Sequence, residues 1–188
     1  MTVVASLLPD HDQMKGIITM KRIALIATLV LVSATPAFAH AGHGIASGFL
    51  HPFLGWDHLI AMLAVGAWGA TLGARAIWAV PAAFVSAMIV GGAFGIAGIE
   101  VPFVEFMILA SALVLAALAV ARVKLPVWSG MAIVGLFALA HGYAHGAEIP
   151  AGANAWIFGA GFVIATSLIH ALGAVMALAV MKLKAVIV

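Results

Sequence analysis

His51-Pro-Phe-Leu-Gly-Trp-Asp57-His58 heads the run Leu59-Ile-Ala-Met-Leu-Ala-Val-Gly-Ala-Trp-Gly-Ala-Thr-Leu-Gly73, and that juxtaposition decides the fold. From Pro52 to Gly73 the chain is apolar for about the 20 residues that one bilayer crossing needs. At its head stand two imidazoles and a carboxylate. Placing an ionisable side chain in a bilayer costs roughly 2.5–3.5 kcal/mol even on lenient insertion scales, so such residues are usually kept for a function.

The rest of the composition agrees that the solvent is lipid. Of 188 residues, 66% are hydrophobic and only 7% charged, against about 25% charged in a soluble domain. The net charge of +2 comes from eight Lys/Arg and six Asp/Glu. With no basic stripe, it gives no footprint for nucleic acid. Cys is absent, which excludes disulfides, thiolate metal sites and iron–sulfur clusters. Any metal must be held by nitrogen and oxygen, with nine Met as a weak thioether reserve.

Met20-Lys21-Arg22 opens a signal-peptide pattern over residues 20–39. Lys21 and Arg22 form its basic head, Ile23 to Ser33 its short apolar stretch, and Ala37-Phe38-Ala39 its small-residue cleavage site. Residues 1–19 read as an overextended start. Cleavage after Ala39 leaves a His-rich periplasmic lead, 40–51. There, His40 with its free amine, and His43, are secondary candidates for metal binding.

Residues 52–188 then read as an all-α transmembrane bundle. Five apolar blocks are long enough to cross: Pro52 to Gly73, Ile77 to Gly98, Pro102 to Ala121, Pro126 to His145, and Ala155 to Met181. Pro52, Pro81 (near the start), Pro102 and Pro126 mark helix starts, where a missing N–H is harmless. Arg75, Arg122, Lys124, Lys182 and Lys184 are all the Lys and Arg of the mature chain, and all fall at one set of ends. The positive-inside rule makes that side cytoplasmic. The reading is a multi-pass inner-membrane protein with a periplasmic mature N-terminus and a cytoplasmic C-terminus. Trp56 and Trp156 suit the outer interface, Trp78 and Trp128 the inner one, and mid-helix Trp68 suits packing. The pairs Gly66/Ala70, Gly69/Gly73, Gly91/Gly95 and Gly142/Gly146 suit close helix approach. The lipid bilayer is one partner, and a homo-oligomer is compatible with the pattern.

This topology brings two polar clusters to one side. His141, His145 and Glu148 are spaced i, i+4, i+7 and share a helix face. With Pro52 at the first helical position, His51 is expected to cap the first helix. That puts His51 about 10 Å from His58 along one face, two stations rather than one cage. Asp57 is a ligand or the partner that orients an imidazole. Together, His51, Asp57, His58, His141, His145 and Glu148 suit nickel, cobalt, zinc, copper(II) or iron(II) over magnesium and calcium. A proton relay, or hydrogen-bonded pinning of helices, competes for the same side chains. His170, with Thr166 one turn before it, is either a deeper station or an interhelical contact. Glu105 reads as a surface carboxylate.

These motifs carry a resemblance. His51-Pro-Phe-Leu-Gly-Trp-Asp57-His58 is similar to the His-x5-Asp-His signature of the HupE/UreJ family. His141-Gly-Tyr-Ala-His145-Gly-Ala-Glu148 resembles that family's second signature, His-Gly-x-Ala-His-Gly-x-Glu. The resemblance runs from Met20 to about Leu183. It implies a nickel or cobalt permease serving hydrogenases or ureases, with the six motif residues as metal stations, no catalytic residue and no resident cofactor. It also implies a further C-terminal hydrophobic helix, whereas this chain ends at Lys184-Ala-Val-Ile-Val188.

Two other classes compete with a permease. A membrane metalloenzyme would use His141 and His145 as a half-site, but Gly-Tyr-Ala between them supplies no general base. A bis-histidine haem protein would draw on His58 and His141. The chain lacks a Walker A motif, so it does not itself drive transport with ATP.

Overall fold

The computed structural model describes residues 44–187. The expected leader, the extension before it, and His40 and His43 lie outside them. Among the described residues the chain is entirely helical. In hydrocarbon a helix satisfies every main-chain polar group within its own segment. The elements are α1 (Ile45–Leu50), a 3-10 turn (His51–Phe53), α2 (Trp56–Leu72), α3 (Ala76–Ile96), α4 (Val104–Val120), α5 (Val127–Ala147) and α6 (Ala155–Ile187).

The punctuation is local chemistry. Gly73, at φ 122, ends α2, in a conformation open to glycine and strained for other residues. Left-handed Phe103 and Arg122 bracket α4. Pro126 caps α5. The Asn154 side-chain oxygen accepts the N–H groups of Trp156 and Ile157 at 3.0 and 3.2 Å, a regular N-cap for α6. Pro81 lies inside α3, near its start at Ala76.

Two expectations change here. The first apolar block is not one helix. Gly55 is extended (φ −109, ψ 120) and caps α2, so Ile45–Phe53 and Trp56–Leu72 meet at 85°. His51 therefore opens the 3-10 turn and does not cap α2. Of the five expected crossings, α3, α5 and α6 are each long and apolar enough to cross a membrane, and the bent pair is a fourth if counted as one span. The remaining apolar helix, α4, has 17 residues, about 25 Å at 1.5 Å per residue.

The bundle is assembled by backbone contact. α3 and α5 run parallel, and a Cβ at Gly91, Gly95, Gly142 or Gly146 would collide with main-chain atoms of the facing helix. In lipid, where burial alone drives no helix association, this approach is the source of cohesion. Gly66 of α2 seats the main chain of His170 on α6 in the same way. The Gly69/Gly73 pair does not follow the pattern, since a Cβ on Gly73 would meet nothing. Met62, Val65, Trp68, Phe84, Leu115 and Val134 are completely buried between the helices, while Leu113, Val120, Leu136 and Leu168 face outward. Trp56, Trp78, Trp128 and Trp156 are exposed and stand near helix ends.

The end that carries Arg75, Arg122 and Lys124 is tied shut. The Trp68 indole donates to the Val123 carbonyl at 2.9 Å. Thr71 Oγ1 donates to the Trp68 carbonyl at 2.8 Å. Lys124 Nζ donates to the Thr71 carbonyl, placing a cation on the negative end of α2.

Candidate functional site

At the opposite end the bend does the positioning. It turns His51 back over the C-terminus of α5, where His51 Nε2 lies 3.2 Å from Glu148 Oε2. His145 Nδ1 is 3.5 Å from the same oxygen. One ligand atom each from His51, His145 and Glu148 falls within 4.8 Å of the others, a spacing that one ion can bridge. A carboxylate at a helix C-terminus opposes the helix dipole, so Glu148 is badly placed for helix stability. The imidazoles of His145 and His51 compensate and hold its carboxyl well below the usual carboxylate range. It remains more than half exposed, so the cluster opens to the surface.

The second layer begins at Asp57. Its Oδ1 accepts the His58 main-chain N–H at 2.9 Å and the His58 Nδ1–H at 2.8 Å. A carboxylate only accepts, so this bond fixes the proton on Nδ1 and leaves a lone pair on Nε2. His141 is set in the same way by a carbonyl: its Nδ1 donates to Phe137 O at 3.1 Å, which again leaves Nε2 as the acceptor. Both Nε2 atoms are buried with no hydrogen-bond partner in the protein, as is His145 Nε2, while His145 Nδ1 faces Glu148. An unpaired polar atom in an apolar interior costs about 1–3 kcal/mol, and several in one place mark a site for a ligand that accepts lone pairs.

The six expected residues thus come together, in an arrangement other than the one expected. His51 and His58 do not stack on one helical face. They flank His145, with ring centroids 4.9 and 4.4 Å from it, and His58 also meets His141 at 5.1 Å. The reason is the break at Gly55, which converts an axial separation into two approaches to one ring. Asp57 acts through His58 and is not among the three converging groups. Glu105 is exposed and is not among the converging groups.

Sequence reading missed the aromatic wall. Phe162 lies 4.3 Å from His145 and 6.0 Å from His51, and Phe158 lies 5.5 Å from His51. Their i, i+4 spacing on α6 was a signal, though it is shared by any packed helix. A cavity of about 470 Å³ opens beside His145 between α3, α5 and α6.

These features define a multi-pass helical membrane protein with a histidine–carboxylate cluster at one end of its bundle. The family model described as HupE / UreJ protein matches residues 27–188, and the chain belongs to that family. It is a family of accessory proteins associated with nickel and cobalt supply to hydrogenases and ureases, and not of enzymes. Protein HupE of Rhizobium leguminosarum bv. viciae is 43% identical over 153 residues, covering 79% of this chain and 80% of the relative. No solved structure matches.

Proposed function

We propose that the chain is an inner-membrane permease that carries a divalent transition metal, nickel or cobalt, from the periplasm to the cytoplasm for metalloenzyme maturation. The observation that carries the reading is the convergence of His51, His145 and Glu148 within one ion's reach. Behind them His58 and His141 present lone pairs aimed by Asp57 and by a carbonyl. Imidazole with carboxylate suits these metals. An exposed carboxylate captures the cation, and neutral nitrogens further in can hold it and let it go, as conduction requires.

With α4 counted as a fifth crossing, the cluster lies outermost and this direction fits, because Arg75, Arg122, Lys124 and Lys182 all lie at the ends away from it. A haem reading is disfavoured by the site. The His58 and His141 rings meet edge to face at 5.1 Å, leaving no slot for a porphyrin between them. The test is accumulation of tracer nickel and cobalt by whole cells expressing the protein, with zinc for comparison. Uptake should be lost in Asp57→Asn and in His145→Ala. Unchanged uptake in both, at normal membrane levels, refutes the reading.

A further inference from the structure

One buried histidine is not used by the outer cluster. His170, near the middle of α6, is 1% exposed, and both its ring nitrogens lack a hydrogen-bond partner. An imidazole that merely joined two helices would bond across them, and this one does not. Its ring packs at 5.1 Å against Phe84, whose ring also meets the His141 ring at 5.5 Å. One turn outward on each helix, Thr166 Oγ1 donates to Met88 Sδ at 4.0 Å.

Three helices thus turn successive positions to one interior axis, each at i, i+4: Phe84 and Met88 on α3, His141 and His145 on α5, Thr166 and His170 on α6. All six are buried. Their main chains are held in register by glycine. Gly142 presses on the Met88 carbonyl and Gly66 on the His170 carbonyl. Gly66 is eight residues, or about 12 Å of helical rise, beyond His58 along α2.

We propose that His170, separated from His141 by the Phe84 ring that packs on both, forms a second and deeper station for the same transition-metal ion. This rests on the permease reading. The donor differs in kind from the outer cluster: a neutral imidazole, unpartnered at both nitrogens and with no carboxylate paired to it among the described residues. A neutral nitrogen ligand retains selectivity for nickel or cobalt over magnesium and calcium. Without a counter-charge it holds a dication loosely, which is what an inner station must do to pass it on.

The chain has no Cys, and this supplies the experiment. In His170→Cys, a small soft residue that a buried site tolerates, the only thiol of the protein stands at the proposed station. Cobalt(II) added to the purified full chain should produce an intense near-ultraviolet thiolate-to-cobalt band, absent from the unsubstituted protein. Equilibrium dialysis with cobalt alone measures the outer site in parallel. The expected result is the band in His170→Cys, together with loss of nickel uptake in reconstituted liposomes for His170→Ala, whose cobalt binding at the outer cluster persists. If cobalt binds His170→Cys without the band, and His170→Ala transports normally, the inner station is wrong and the permease reading stands. If the unsubstituted protein binds neither metal, both fall.

Discussion

The two ends of this bundle treat their polar atoms in opposite ways. At the Arg122 end, the Trp68 indole, the Thr71 hydroxyl and the Lys124 ammonium each close on a main-chain carbonyl. At the Glu148 end, ring nitrogens of His58, His141 and His145 are buried and left open. Trp68 and Thr71 are as deeply buried as His141 and His145, so burial alone does not explain the contrast. Polar groups that fasten helices are satisfied within the protein, and polar groups that serve a ligand are aimed and left unsatisfied. Asp57 illustrates the second case, since it saturates one face of His58 and thereby frees the other.

Substitutions at the two ends should therefore separate transport from stability. The largest effect is expected for Glu148→Gln, which removes the capturing charge from all three converging groups. Nickel uptake should fall to the level of cells without the protein, while thermal unfolding in detergent stays where it was. Next is Asp57→Asn, which releases the His58 tautomer. Losing such an orienting partner typically reduces metal affinity about 10–100-fold, and equilibrium dialysis with nickel should read a loss of that order. At the other end the pattern reverses. Trp68→Phe leaves the Val123 carbonyl without its donor and should destabilise the fold by about 1–3 kcal/mol, read as a lowered unfolding midpoint with uptake per folded molecule retained. Lys124→Met removes the cation from the end of α2 and should cost about 0.3–1 kcal/mol, again without affecting uptake. If Lys124→Met abolished transport while Glu148→Gln did not, the functional distinction between the ends would be lost.

Much of this was legible in the sequence, because the informative residues are rare. Six ionisable side chains in an apolar chain stand out by position alone, and helical spacing puts His141, His145 and Glu148 on one face. The packing role read for Trp68 holds, since it is completely buried, whereas Trp78, Trp128 and Trp156 are largely exposed. The break at Gly55 was harder to see. In a soluble helix a break interrupts an alternation of polar and apolar faces. Between Pro52 and Gly73 nearly everything is apolar, so no periodicity exists to be interrupted. Pro52 followed by Gly55 was the available sign, in the order that opens and closes a short turn. Partners were equally hidden. Glycine at position 66 announces a close approach, but nothing in the sequence names the His170 carbonyl as what approaches.

The helices are also unequal in a way that bears on the membrane around them. α2 and α4 have 17 residues each, about 25 Å of rise, whereas α6 has 33, about 50 Å. A hydrocarbon layer is about 30 Å thick. The apolar part of α6, Ala155–Leu183, has 29 residues and exceeds that layer, so it tilts or protrudes at a fraction of a kcal/mol per Å of mismatch. Short and long helices stand side by side, since Gly66 of α2 packs on His170 of α6. Acyl-chain length becomes a variable to which its helix angles, and with them the alignment of the histidines on α5 and α6, are mechanically coupled.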